Sequence, residues 1–281
     1  MNILIAGCGD LGTEAGLRFA AAGHHVTGWR RNPSRLPQPI AGVAADLTGE
    51  LPPIPAGTDV VVYTPAAGER SADAYRRTYV HGLANVLDAL GRDGVSPRRF
   101  LFVSSTTVYG DAAGAMVDEG TPANPASATG GLIREAERTL HGRRPDGIVL
   151  RLSGIYGPGR TRLIDTLRAG TAVVPSGSHP TNRIHRDDAA AAIVHLTTSV
   201  AEPAPLYVGV DDDPAELGDV LRFLAAELGL PEPRVGETTT TRGGNRRLSN
   251  ARLRSTGFDL AYPTFRQGYR AMLEDKAAPR H

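Results

Sequence analysis

The apolar run Ile3-Leu4-Ile5-Ala6 leads without a spacer into Gly7-Cys8-Gly9-Asp10-Leu11-Gly12, and a helix-forming stretch begins directly afterwards. A G-x-G-x-x-G between a strand and a helix restricts the chain to an α/β topology of the dinucleotide-binding kind, whereas the same glycines without those neighbours mark only a tight turn. In the dinucleotide reading the first glycine makes the turn and the second lets backbone approach a pyrophosphate. The third lets helix pack closely on strand while the helix amino end faces the anion. Gly7, Gly9, Asp10, Leu11 and Gly12 are therefore the first candidate cofactor contacts.

The apolar pieces that follow continue the alternation. Val26-Thr27, Val43-Ala44-Ala45, Val60 to Tyr63, Phe100 to Val103 and Ile148 to Leu150 read as strands two to six, short and uniformly apolar as in a sheet covered on both faces. Helical spacing predicts a helix from Thr13 to Ala22, with Leu17, Ala20 and Ala21 inward and Gly23 as its stop. A second helix is expected from Tyr75 to Leu90, striped by Val80, Leu83, Val86, Leu87 and Leu90 and stopped by Gly91, and a third from Leu132 to Leu140. The expected fold class is α/β. A Rossmann doubly wound parallel sheet occupies residues 1–158, and a smaller C-terminal substrate-binding α/β region occupies 159–281, with 183–200 returning to the Rossmann domain. In that region Pro214 is expected to open a helix capped by Asp213, with Leu217, Val220, Leu221, Leu224 and Leu228 as its apolar stripe and Gly229 at its end. Thr238 to Thr241 with Gly243-Gly244 read as a polar loop without assignable chemistry.

Two positions bear on which dinucleotide is held. A site for NAD usually places an acidic residue about 20 positions beyond the glycines, on the ribose hydroxyls, and a site for NADP meets the 2′-phosphate with arginine. Here strand two ends in Gly28-Trp29-Arg30-Arg31, with no acid available, so NADP is expected in preference to NAD, although two solvated surface arginines would look the same. Asp46-Leu47, after strand three, would lie against the adenine with the carboxylate accepting from its amino group; Asp46 as a turn residue is the alternative.

Composition excludes several classes. A formal charge of +1, with basic and acidic residues interspersed, lacks the footprint of a nucleic-acid binder. No apolar run reaches the roughly 20 residues that span a bilayer, and Met1 is followed by neither a positive region nor a cleavage site, so no membrane partner and a cytoplasmic location are expected. Cys8, the single cysteine, excludes an internal disulfide, and the dispersed histidines show no H-x-x-x-H on a predicted helix, so no metal is expected. The expected partner is a small-molecule substrate, and a homodimer stays open. Lys276 is the only lysine, and arginine, never deprotonated in practice, does not replace a proton-shuttling lysine.

Three later segments resemble the extended short-chain dehydrogenases, the class of NAD(P)-dependent epimerases and dehydratases. Val103-Ser104-Ser105-Thr106-Thr107-Val108-Tyr109-Gly110 is similar to that class's strand-five motif. Leu150 to Gly159 is similar to its strand-six signature, which passes the nicotinamide and enters the substrate pocket. Asn182 to Ala189 is similar to its later histidine, x, aspartate, aspartate segment. The resemblance implies that Ser105 bonds the reacting oxygen and that Pro65, Ala66, Ser104, Leu152 and Gly154 complete the cofactor contacts. It also exposes a departure. With Ala136-Glu137 set against the family's small residue and glutamate, Thr129 falls where the catalytic tyrosine should be and Ile133 where the lysine should be. No tyrosine lies between Gly110 and Ile155, so no shift of alignment restores the pair.

The chemistry that remains is hydride transfer with a non-standard proton donor. Ser105 and Tyr109 are the catalytic candidates, against readings of Ser105 as a strand-end serine bonding loop backbone and of Tyr109 as a packing or pocket tyrosine. Tyr156 and His185 are reserves, His185 also reading as a structural histidine. The expected function is an NADP-dependent oxidoreductase or epimerase/dehydratase-like enzyme acting on a small carbonyl or hydroxyl compound. The alternatives are an isomerase or cyclase that keeps the fold, and a non-catalytic NAD(P)-binding protein.

Overall fold

The computed structural model describes residues 1–237 and 244–277, with side chains as far as Glu274. The predicted polar loop at Thr238 to Thr241 with Gly243, the Lys276 side chain and the tail from Ala278 lie outside the described residues. The strands that organise the chain are β1 Asn2–Ala6, β2 His25–Arg30, β3 Ala41–Ala44, β4 Val60–Tyr63, β5 Arg99–Ser105, β6 Ile148–Leu152, β7 Gly154–Tyr156, β8 Arg183–His185 and β9 Leu206–Gly209. Seven of them form one sheet in the order β9-β6-β5-β4-β1-β2-β3. The order reverses at β1, whose neighbours β2 and β4 both run parallel to it, pairing Ile3 with Val26 on one side and with Val60 on the other. This is the doubly wound Rossmann arrangement expected from the sequence, and ligands of such sheets bind at the carboxyl ends of the strands beside the reversal.

Burial follows position in the sheet. Every residue of β4 and β6 is buried, as the continuous Val60-Val61-Val62 and Ile148-Val149-Leu150 runs require. Strand three departs from its sequence reading: it covers Ala41–Ala44 rather than Val43 to Ala45, and it is largely exposed because it forms the sheet edge. The first helix, α1, also shifts. It covers Asp10–Ala21, and its inward face is Leu11, Ala15 and Phe19 with Gly12 and Gly16, not Leu17, Ala20 and Ala21. At ~100° per residue the two faces lie about half a turn apart round the helix. A Cβ on Gly16 would stand 3.2 Å from Ile5 Cδ1 of β1, so the glycine face is the one that lies on the sheet.

The predicted helix from Tyr75 is three pieces, a short helix Ala72–Tyr75, a π-turn Arg76–His81 and α2 Gly82–Arg92. Gly91 lies inside α2, and the glycine with left-handed backbone beyond it is Gly94, φ 64°. α3 spans Ala128–Arg143, longer at both ends than its apolar stripe, with Ser127 accepting from the Gly130 amide as its amino-terminal cap. After α4 Arg162–Arg168 and α5 Arg186–Thr198 comes α6 Leu217–Glu227. Pro214 and Asp213 do not open α6. Ala215-Glu216 pairs antiparallel with Pro180-Thr181, holding the chain extended to Glu216, and Asp213 forms an ion pair with Arg266 at 2.8 Å. Val220, Leu221 and Leu224 are buried as the stripe requires, and Gly229 (φ 64°) follows the helix end. The last helix is α7 Phe265–Ala277.

The chain divides into two compact units, one of Met1–Tyr109, Pro122–Arg151 and Ala189–Tyr207, the other of Gly110–Thr121, Leu152–Asp188 and Val208–His281. The core of the second gathers Ile164 and Leu167 of α4, Val220 and Leu224 of α6, and Phe265 and Tyr269 of α7. Among the described residues no helix is long and apolar enough to cross a membrane.

Candidate cofactor and active site

At the carboxyl end of β1, Gly7 (φ 88°) turns the chain, and the Gly7 and Cys8 amides donate to the Trp29 carbonyl at 3.1 and 2.8 Å. The glycines are needed for different reasons. A Cβ on Gly7 would lie 2.9 Å from Pro65 Cα, and one on Gly12 would lie 3.0 Å from both Ile5 Cγ2 and Thr64 Cγ2, so these two let backbone and helix close. A Cβ on Gly9 meets nothing nearer than the Gly7 carbonyl at 3.9 Å. Space is thus left open where the amino end of α1 begins, and Gly9, its capping residue, offers no side chain to the first-turn amides. Those amides and that space are what a pyrophosphate requires. Leu11 is buried, and Asp10 is exposed in the first turn. Cys8 is enclosed, 2.9 Å from a Cβ built on Gly28, and burial pushes its thiol up to about 11, which removes it as a nucleophile.

At the end of β2, Arg30 is half-buried and Arg31 exposed. Neither has an ion-pair partner among the described residues; Arg30 is felt at the Cys8 thiol and Arg31 at the Asp46 carboxylate. Asp46 closes a turn. Its Oδ1 accepts from the Thr48 amide at 3.0 Å and the Thr48 hydroxyl at 2.8 Å, and these bonds hold its carboxyl below the usual range. Leu47 is half-buried and its carbonyl accepts from Asn85 Nδ2 at 3.0 Å. Pro65 is half-buried and Ala66 exposed, two and three residues past β4. Gly7 to Gly12, Arg30, Arg31, Asp46, Leu47, Pro65, Ala66, Ser104 and Ser105 all belong to the first unit and follow or end strands of one parallel set. Leu152 and Gly154 belong to the second unit, where Leu152 is buried and the Gly154 amide donates to the Asn182 carbonyl at 3.3 Å.

Ser105 ends β5, partly exposed. Its Oγ accepts from the Thr107 amide at 3.2 Å, capping a short 3-10 turn at Thr106–Val108, so a lone pair is used and the hydroxyl hydrogen stays available. Tyr109, at the other end of that turn, is 3% exposed, and the Arg151 guanidinium lies 4.7 Å from its ring centroid and bonds its side chain. Arg151 is itself held by Glu137 through two bonds, Nε to Oε1 at 2.8 Å and Nη2 to Oε2 at 2.7 Å, with Ser104 Oγ donating to Oε1 at 2.6 Å and Arg134 Nη1 to Oε2 at 2.9 Å. Burial works to raise the Glu137 carboxyl, but the Arg151 hydrogen bond and charge outweigh it and hold it below the usual range. Sequence reading missed this buried network; the signal was two adjacent strands each offering a polar residue, Ser104 and Arg151, in an otherwise apolar run. Thr129 lies half-buried in the first turn of α3, and Ile133 is 1% exposed and packs as core.

The reserve candidates lie in the second unit. His185 is 2% exposed, with its ring 4.0 Å from that of Tyr262, and its Nδ1 accepts from the Asp187 amide at 3.2 Å. Asp188 is structural, its two oxygens accepting from the Ala261 and Tyr262 amides at 2.8 and 3.0 Å. Tyr156 is buried with its hydroxyl against Gly268, and burial pushes the phenol above its ordinary value, away from acid-base work near neutrality.

Comparison with known proteins agrees with this geometry. The model of the NAD dependent epimerase/dehydratase family matches residues 3–209. A solved structure from Methylobacillus flagellatus, provisionally named an NAD-dependent epimerase/dehydratase, is 37% identical and covers 99% of both chains with a TM-score of 0.81. Protein YeeZ of Escherichia coli K12 is 27% identical over 275 residues, 93% of this chain and 96% of its own. The 3-diazoavenalumate denitrifying reductase of a Streptomyces species is 29% identical over 308 residues, 95% of this chain and 99% of its own. With a sheet that reverses at a glycine loop and a family match over residues 3–209, the chain belongs to the NAD-dependent epimerase/dehydratase family.

Proposed function

We propose that the protein is an NADP-dependent oxidoreductase or epimerase/dehydratase-like enzyme acting on a small carbonyl or hydroxyl compound. The observation that carries the reading is the open cradle at Gly9 beside the amino end of α1, together with two arginine side chains at the end of β2 that have no ion-pair partner among the described residues. A 2′-phosphate would take the Arg30 and Arg31 side chains, and a ribose bound there without phosphate would leave both charges unmatched. Gly7, Gly9 and Gly12 would hold the pyrophosphate, with Leu47 and Pro65-Ala66 alongside. When bound, the nicotinamide supplies or receives the hydride.

The chain's own contribution is orientation and polarisation. Ser105 presents a hydroxyl whose oxygen is fixed by the Thr107 amide, which leaves its hydrogen to donate to a substrate oxygen. Tyr109 is the second candidate, held against Arg151 in a network that fixes where its ring lies. Ile133 occupies the place expected for the lysine and is core. The whole-length similarity to a reductase supports the oxidoreductase side of the reading. The test is to incubate the protein with NADPH and a panel of small aldehydes, ketones and diazo compounds while following the reduced-nicotinamide absorbance. Consumption with at least one member, lost in Ser105→Ala, is the expected result. Tight NADPH binding without consumption or product on any member would leave the binding-protein reading in its place.

A further inference from the structure

The helical stretch after β4 changes its winding at one point, and a single hydroxyl accounts for it. Tyr63, fully buried at the end of β4, donates its phenolic hydrogen to the Thr78 carbonyl at 2.5 Å. In an α-helix that carbonyl would accept from the Gly82 amide, four residues on. Here the Gly82 amide reaches back to the Arg77 carbonyl instead, the i to i−5 bond of a π-turn. Gly82 makes the room, since a Cβ there would stand 2.5 Å from the Tyr63 hydroxyl.

Tyr79 lies inside that turn. Its hydroxyl donates to the Pro65 carbonyl at 3.5 Å and accepts from the Ala67 amide, so it staples the loop that carries Pro65 and Ala66. Its ring packs on Tyr75 and Phe102, with centroids at 5.2 and 6.4 Å. Just past the turn, Asn85 holds the Leu47 carbonyl. The same stretch of helix therefore grips both loops expected to flank the cofactor, and Pro65 in turn closes on Gly7. π-turns are rare and recur at functional sites.

We propose that the π-turn latched by the Tyr63 hydroxyl sets the position of the cofactor-facing loop Thr64 to Gly68, with Tyr79 as the positioning residue. This rests on reading the glycine loop as a nicotinamide dinucleotide site. Tyr63→Phe releases the Thr78 carbonyl to the Gly82 amide and relaxes the turn to α winding, which rotates Tyr79 away from the loop; Tyr79→Phe removes the staple directly. Both substitutions keep the aromatic ring, and a thermal melt checks that each variant folds.

The experiment measures NADPH affinity by calorimetry for the wild type, both single variants and the double variant, and amide exchange at Ala67 in the cofactor-free protein. Each single variant should weaken NADPH binding about 3- to 10-fold, the range expected for one lost hydrogen bond. The double variant should be no more than about twofold weaker than Tyr79→Phe, because both changes act through the same staple. Exchange at Ala67 should rise about 10-fold in each variant. Unchanged Ala67 exchange in either variant, or affinity losses that multiply in the double variant, would overturn the inference. If the wild type binds no nicotinamide nucleotide, the dinucleotide reading fails, and the exchange result still decides whether the latch controls the loop.

Discussion

Asp211 gives the sharpest prediction about stability. It lies just past β9 in the second unit, is 1% exposed, and its Oδ2 has no hydrogen-bond partner among the described residues. Oδ1 receives the Asp213 amide at 3.4 Å. Burial pushes the carboxyl up to about 8, with the Arg183 charge opposing the shift and the neighbouring Asp213 and Asp212 adding to it. In the unfolded chain an aspartate titrates near 3.9. A group whose folded value is raised gives its full stability below the unfolded value and loses it as pH rises through the folded one. For Asp211 that window runs from about pH 4 to about pH 8, with a slope of at most ~1.4 kcal/mol per pH unit. Between pH 5 and pH 7 the wild type should therefore lose about 2–3 kcal/mol through this residue alone. Asp211→Asn keeps the shape and removes the titration. The buried amide adds a penalty that does not depend on pH, so the difference between the two proteins carries the signal, and other titrating groups cancel from it. Urea unfolding of both proteins at intervals from pH 5 to pH 8, followed by circular dichroism, measures that difference. The variant should gain on the wild type steadily as pH rises. Parallel stability curves would refute the placement of a neutral carboxyl at this site.

Three further outcomes follow from the first unit. Gly9→Val should abolish NADPH binding with the circular dichroism spectrum unchanged, because Gly9 has an ordinary φ of −83° and its Cβ would enter open space; retained affinity would make the loop a turn only. Ser105→Ala and Tyr109→Phe should each lower turnover on a reducible substrate roughly 100- to 1000-fold with NADPH affinity intact, the loss expected for one preorganised donor. Near-wild-type turnover in both would move the proton source to water or to the second unit. Arg30→Ala should weaken NADPH binding roughly 10- to 100-fold and leave NADH nearly unchanged, read by calorimetry.

The parts of this fold legible in the sequence are those set by local pattern. Ile3 to Ala6 followed by three spaced glycines can be satisfied by little except a strand, a turn and a helix amino end, and the buried Val60-Val61-Val62 run marks a central strand without further help. What escaped depends on contacts distant in the chain. Asp213 looks like a helix cap beside Pro214, and only the pairing of Ala215-Glu216 with Pro180-Thr181 delays the helix to Leu217. The apolar stripe from Val80 to Leu90 is compatible with one continuous helix from Tyr75; the π-turn Arg76–His81 carries a hydrogen bond from Tyr63, 15 residues from the Thr78 carbonyl that accepts it, and no local pattern shows that contact. At the candidate site the strand, glycine turn and helix at Gly7 to Gly12 were readable because glycine has few reasons to recur at that spacing. The Ser104, Glu137, Arg151 and Tyr109 network was fainter: Ser104 and Arg151 stand out in apolar strands, but Glu137 and Tyr109 lie on separate elements and complete no local pattern.

If the cradle at Gly9 and the arginines after β2 bind a phosphorylated nicotinamide dinucleotide, the 2′-phosphate decides the affinity. Calorimetric titration of the purified wild-type protein with NADPH and with NADH under one set of conditions measures that difference. Both should bind saturably, NADPH at least about 10-fold tighter, the smaller limit of one charge-assisted phosphate contact. Equal affinities would contradict the assignment of Arg30 and Arg31 to the 2′-phosphate, and the absence of heat with either nucleotide would contradict the cradle itself.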